Sequence, residues 1–168
     1  MFLLYLCRID KDLMMYQALT FLHSTFRWLV LLSLFYLVFR AYKGYLSNRN
    51  FSKTDNSVRH WTATIAHIQL VLGITLYSQS PIIKYFWKNF DEAKESFDLI
   101  FFGLIHIFMM LLSIILITIG SSISKRKITD KEKFKTMLIY FSIALLIIFI
   151  AIPWPFSPLA NRPYFRQL

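Results

Sequence analysis

Four stretches of this chain stay apolar for so long that few folds can hold them: Leu19–Phe39, Trp61–Tyr77, Phe97–Gly120 and Phe134–Ile152. A helix needs about 20 apolar residues to cross the hydrocarbon core of a bilayer. The third and fourth stretches meet that length outright, the first does so with Arg27 inside it, and the second is short. None shows the alternation of apolar and polar residues that the wall of a transmembrane barrel requires. Composition agrees, since 57% hydrophobic residues, 18% aromatic residues and a mean hydropathy of +0.51 exceed what a soluble domain of 168 residues carries. The sequence therefore predicts an all-α, antiparallel four-helix transmembrane bundle that forms a single domain over residues 1–168.

Met1–Cys7 is too short for the apolar region of a signal peptide and is followed by Arg8, Asp10, Lys11 and Asp12. With Met14 and Met15 as a more ordinary opening, residues 1–13 read as a loosely held, disordered extension or an upstream start.

Charge orients the array. The segment Arg40–His60 holds Arg40, Lys43, Arg49, Lys53 and Arg59 against Asp55, and Ser121–Lys135 holds six Lys or Arg residues against Asp130 and Glu132. The intervening Ser78–Ser96 balances Lys84, Lys88 and Lys94 with Asp91, Glu92 and Glu95, next to Asp98. By the positive-inside rule the two basic loops are cytoplasmic and both termini lie outside. The net charge of +10 is thus mostly topology, and the basic loops suit anionic lipid headgroups. Nucleic-acid binding is not expected, because the cations flank spans instead of lining a folded face.

Three of the four histidines, His23, His67 and His106, sit inside three different apolar stretches. An ionisable side chain is costly there and is by default functional. From the 1.5 Å rise per residue, His23 lies roughly 6 Å in from the outer side and His106 roughly 13 Å in, while His67 lies roughly 9 Å from the cytoplasmic side. A b-type haem held by two imidazoles needs them on facing helices at similar depth. His106 belongs to either workable pair. His67 with His106 is the leading expectation, His23 is the competing ligand, and His23 with His67 is the poorest match in depth. Arg27, one turn from His23, suits a haem propionate or a lipid phosphate, or snorkels outward.

The bland reading has each histidine bonded to a carbonyl or hydroxyl on a neighbouring helix. A copper or zinc site made by all three is disfavoured by their spread in depth, and Met109 and Met110 read as packing rather than as axial ligands. Cys7 is the single cysteine, so a disulfide within the chain, a CxxC pair and covalent CxxCH haem attachment are all excluded. The four glycines form no phosphate-binding loop. No acid continues into the spans from Glu95 and Asp98, which argues against a proton pump, and no residue names the substrate of an enzyme.

Four segments carry a resemblance: Leu22-His23-Ser24-Thr25-Phe26-Arg27-Trp28, Ala66-His67-Ile68-Gln69-Leu70-Val71-Leu72-Gly73, the His106 stretch ending Ile117-Thr118-Ile119-Gly120, and Ile152-Pro153-Trp154. Over nearly the whole chain after Met14, the sequence resembles small bacterial four-helix membrane proteins labelled cytochrome b-like. The third-helix histidine of that group usually follows an acid, where this chain has Ile105. The resemblance implies a multi-pass protein of the bacterial inner (cytoplasmic) membrane that binds haem b and transfers electrons, with the quinone pool and a larger membrane complex as partners. The alternative is a haem-free structural or accessory subunit of such a complex.

Overall fold

The computed structural model describes the backbone of residues 2–160 and 162–164, and the side chains of that range from residue 13 onward. In chain order the elements are α1 (Phe2–Leu46), α2 (Lys53–Gln79), α3 (Pro81–Lys88), α4 (Phe90–Ala93), α5 (Phe97–Ile100), a π-helical turn (Phe101–Ile105), α6 (His106–Arg126) and α7 (Asp130–Ala151). There is no strand among the described residues. Three helical segments are long and apolar enough to cross a membrane: Leu13–Leu46 within α1, the run Phe97–Arg126, and Asp130–Ala151. Helix α2 matches them in length, with 27 residues spanning roughly 40 Å. Its first two turns are polar, carrying Lys53, Asp55, Asn56, Arg59 and His60.

The helices outrun the apolar stretches. The expected loop Arg40–His60 shrinks to the link Ser47–Ser52, the expected loop Ser121–Lys135 shrinks to 127–129, and α3 and α4 occupy the segment between Ser78 and Ser96. The expected extension over residues 1–13 is, from Phe2 on, part of α1. Hydropathy marks where side chains can enter hydrocarbon, whereas a helix continues until its own hydrogen bonds are capped or broken. At the start of α2 that cap is explicit. The Ser52 hydroxyl accepts from Asp55 N–H at 3.2 Å, and the Asp55 carboxylate accepts from Ser52 N–H at 2.9 Å. On the other side of the link, Asn48 takes φ 47°, a left-handed conformation that asparagine tolerates after a helix end.

Asp55 does more than cap. Its side chain is fully buried and accepts from Arg40 Nη2 at 2.7 Å, from Arg49 Nη2 at 2.9 Å and from the Ser52 hydroxyl at 2.6 Å. One carboxylate thereby joins the end of α1, the link and the start of α2. Further hydrogen bonds join the long helices to one another. Thr62 of α2 donates to Ser33 O of α1 at 3.3 Å. Arg59 donates to Ser121 O of α6 at 3.0 Å, and Ser124 of α6 donates to Lys133 O of α7 at 3.2 Å. Helix α7 packs against α1 in turn, so each of the four long helices touches two others.

The densest packing lies at the Asp55 end, where Leu34, Leu37, Ile117, Phe134, Met137 and Phe141 are buried to 1% exposure or less. Among helices in hydrocarbon this packing acts through close van der Waals fit, because lipid tails are as apolar as the side chains themselves. The opposite end of the four helices is not filled.

Burial alone would raise the carboxyl pKa of Asp55, but hydrogen bonds from Arg49, Ser52 and Arg40 outweigh it and hold the group well below the ordinary 3.8. A carboxyl depressed in the folded state stabilises the protein fully above its unfolded pKa; that contribution declines as the pH falls below the unfolded value and is lost only as it falls through the folded one. Asp55→Asn, which leaves two arginines facing an uncharged amide, is expected to cost about 3 kcal/mol or more of stability near neutral pH. Thermal unfolding in detergent followed by circular dichroism, at pH 7 and at pH 3, checks both statements: the gap between wild type and variant narrows at the lower pH but persists, because the folded carboxyl is still ionised there.

Candidate functional site

A cavity of about 220 Å³ occupies the end of the helices remote from Asp55. A single water needs about 10–15 Å³ on the same measure, so the space suits a far larger occupant. Its walls come from all four long helices, with α3 and the segment after α7 completing the rim. The wall is largely aliphatic, and His23, Gln69, His106, Arg27 and Arg162 supply its strongest polar groups. A mostly apolar cavity with a few converging polar groups is the usual form of a small-molecule or cofactor site.

His23 of α1 and His106 of α6 meet across this space with ring centroids 6.5 Å apart and planes at 71°. The reason His106 is fixed lies at the end of α7. Ala151 is the last helical residue, and the N–H that would bond its carbonyl in a continued helix belongs to position 155, which is proline. The carbonyl is left for His106 Nδ1 at 2.9 Å. A carbonyl only accepts, so the proton sits on Nδ1, and Nε2 of His106 carries a lone pair.

The approach to His106 is also unusual. The π-helical turn Phe101–Ile105 ends directly before it, with the His106 N–H bonded to Phe101 O. Such a turn inserts one residue into the helical register and shifts the faces on either side by about 100°; π-turns are frequent at functional sites. Phe86 of α3 holds the turn from outside. A Cβ at Gly103 would lie 2.6 Å from the Phe86 ring, so only glycine admits that packing. Tyr77 then donates to Gly103 O at 2.8 Å and accepts from Trp87 Nε1 at 2.9 Å.

His23 is held from α2. The Gln69 amide N–H donates to His23 O at 3.0 Å and lies 3.2 Å from His23 Nδ1. Gln69 Oε1 is buried with no hydrogen-bond partner. One turn further on, the absent side chain of Gly73 makes room for the imidazole, because a Cβ there would stand 3.2 Å from His23 Cε1. Two guanidinium groups stand near the rim. Arg27 donates to Tyr164 O at 2.5 Å and lies over the Trp154 ring at 5.8 Å. Arg162 pairs with Asp98 at 2.9 Å and lies over Phe102 at 4.6 Å.

His67 stands elsewhere. It is exposed on α2, does not line the cavity, and has Nε2 3.0 Å from the Thr118 hydroxyl of α6. That hydroxyl donates to Ile114 O at 2.7 Å, so it accepts its bond from His67. Ala66, Gln69, Leu70 and Gly73 form the face of α2 that lines the cavity. His67 is two residues before Gln69, about 200° round the helix, and so points away. The arrangement therefore brings together His23, His106 and Arg27, and leaves out His67, whose pairing with His106 the sequence favoured. Among the described residues no three His, Cys, Asp or Glu side chains converge as a metal cluster. Met110 lines the cavity wall.

Comparison with protein-family models, with curated proteins and with solved structures gives no match for this chain.

Two features of the chain's own residues are compatible with bis-imidazole ligation of a haem, the ring separation and the tautomer of His106. Two metal–nitrogen bonds of about 2 Å each, with the ring radii added, separate two axial imidazole centroids by roughly 6 Å. The Nε2 lone pair of His106 is already set by its carbonyl partner. The Gln69 amide N–H stands 3.2 Å from Nδ1 and 3.4 Å from Nε2 of His23, so ligation by Nε2 of His23 would need that amide turned to present its buried Oε1 to a protonated Nδ1.

Gly73→Val tests how tightly this wall is built. A branched side chain at that position meets the His23 ring and is expected to cost about 1–3 kcal/mol of stability. Val71→Ala on the exposed side of the same helix should change stability by no more than about 0.5 kcal/mol. Thermal unfolding of the two variants measures the difference, and equal effects would mean that α2 does not press on His23.

Proposed function

We propose that this chain is a multi-pass protein of the bacterial inner membrane, an antiparallel four-helix bundle with both termini outside. It holds one haem b between His23 and His106 and passes electrons between the quinone pool and a partner complex. The observation that carries this reading is the pair of imidazoles facing each other across an apolar cavity, one with its tautomer fixed by Ala151 O. Of the two pairings open from the sequence, the separation of the rings favours His23 with His106. The distance of His67 from the cavity lining argues against the other.

Haem b, when bound, supplies a one-electron couple between ferric and ferrous iron. The protein's share is to hold and tune it. His106 is kept in place by a backbone carbonyl, whose position depends on where α7 ends, and Gln69 orients His23. Arg27 and Arg162, both lining the cavity, are suited to the two propionates because a guanidinium forms bidentate pairs with carboxylates. The aliphatic wall excludes water and lowers the local dielectric, which is one of the protein's means of setting a haem potential.

A haem-free accessory subunit is the competing reading. The bond from His67 to Thr118 favours it, since it shows one intramembrane histidine in a purely interhelical role. Wide apolar faces that include Leu32, Val71 and Phe108 are open to lipid or to a partner subunit. Reduced-minus-oxidised spectra of protein purified from haem-replete cells separate the two. The wild type and His67→Gln are expected to show the α-band of a b-type haem, and His106→Ala and His23→Ala to lack it. A colourless wild type would sink the haem reading, and loss of pigment in His67→Gln with retention in His23→Ala would move the second ligand to His67.

A further inference from the structure

At the end of the molecule remote from the histidines, a second cleft of about 490 Å³ opens between the start of α2, the end of α6 and the start of α7. Lys53, Lys125 and Lys133 line it together with Ser52, Asn56, Ser57 and Ser124, and Phe51 supplies an apolar wall. Three cations converge on a polar cleft between helices. Lys133 pairs with Asp130 at 2.9 Å, while no carboxylate lies within ion-pair distance of Lys53 or Lys125 among the described residues.

Arg59 adds to the excess of positive charge from beneath. It is only 6% exposed, and all its partners are neutral: Ser121 O at 3.0 Å, the Ser121 hydroxyl at 2.5 Å and Asn56 Oδ1 at 2.9 Å. Its Nε is buried with no partner. The nearest acid along α2 is Asp55, one turn earlier, and that carboxylate is already shared by Arg40 and Arg49. A buried guanidinium with no opposing charge is costly. Asn56, which holds Arg59 Nη2 and also lines the cleft, links the buried cation to the lysines above it.

We propose that this cleft is a binding site for a phosphate-bearing anion, and that the headgroup of an acidic phospholipid supplies it. The three lysines offer mobile ammonium donors, the Ser57 hydroxyl and the Asn56 amide N–H offer neutral ones, and Arg59 supplies a fixed positive charge nearby. The cleft sits where the polar first turns of α2 and α7 meet the last turn of α6, the level at which headgroups flank an embedded helix end. Phe51 gives the glycerol and upper acyl carbons a wall to lie against. This site is independent of the histidine cavity and of any haem in it.

The test uses the full chain in a neutral detergent. Its thermal midpoint is measured with added phosphatidylglycerol, with added phosphatidylcholine, and with inorganic phosphate against chloride at equal ionic strength. A ligand near a hundred times its dissociation constant should raise the midpoint by about 5–10 °C for a protein of this size. Phosphatidylglycerol is expected to do so and phosphatidylcholine is not. In the combined variant Lys53→Gln, Lys125→Gln, Lys133→Gln, the lipid-free midpoint should stay within about 3 °C of wild type, because Lys53 and Lys125 are exposed and Lys133 gives up a single partly exposed ion pair, and the lipid-dependent rise should vanish. Native mass spectrometry should show a retained phosphatidylglycerol on the wild type and none on the variant. A similar rise with inorganic phosphate alone, again lost in the variant, would keep the site and make a soluble anion its source. A phosphatidylglycerol effect that survives the triple substitution, an equal effect of phosphatidylcholine, or no effect at all would overturn the proposal.

Discussion

A backbone placed in hydrocarbon has no water to satisfy its N–H and C=O groups, so each must find a partner within the protein. In this chain the requirement is met by long helices, and the informative places are those where a helix stops or slips. Where α7 stops, Ala151 O loses its helical partner to Pro155 and is taken by His106. Where the register slips at Phe101–Ile105, Gly103 O is taken by Tyr77. The polar contacts that shape the cavity are in this sense repairs to interrupted helix ladders.

The two ends of the helix assembly solve opposite problems. Around Asp55, one carboxylate gathers two arginines and a helix cap, and the apolar side chains beyond it are buried. Around His23 and His106, the helices enclose space instead. Gly73 lets α2 approach the His23 ring, and Gly103 lets Phe86 brace the π-turn from outside. The cavity at the histidine end is thus held open by helices whose far ends are tied together through Asp55 and its arginines.

Much of the fold could be read from the chain. Segment lengths and apolar runs marked the membrane-length helices, and the histidines inside them marked where to look for a site. Hydropathy did not reveal that α1 runs on to Leu46 or that α2 begins at Lys53, because those ends are set by the Ser52–Asp55 cap and its arginines. The site was half legible. His23, His106 and Arg27 stood out as polar groups in apolar surroundings, and Gln69 carried the same signal but was overshadowed by His67 two residues earlier. The angle of about 200° between those two positions means that only one of them can face the interior.

Sequence by itself determined the helical class, the long apolar stretches, three of the four expected spans lying in segments fit to cross a membrane, the clustering of basic residues beside them and the identity of the ionisable side chains within them. Those follow from composition along the chain, which local chemistry fixes. Tertiary structure alone decided which histidines meet. That choice rests on the rotation of each helix about its axis and on a one-residue slip at the π-turn. Both arise from packing between segments far apart in sequence, through Phe86 against Gly103, His23 against Gly73 and Ala151 O against His106.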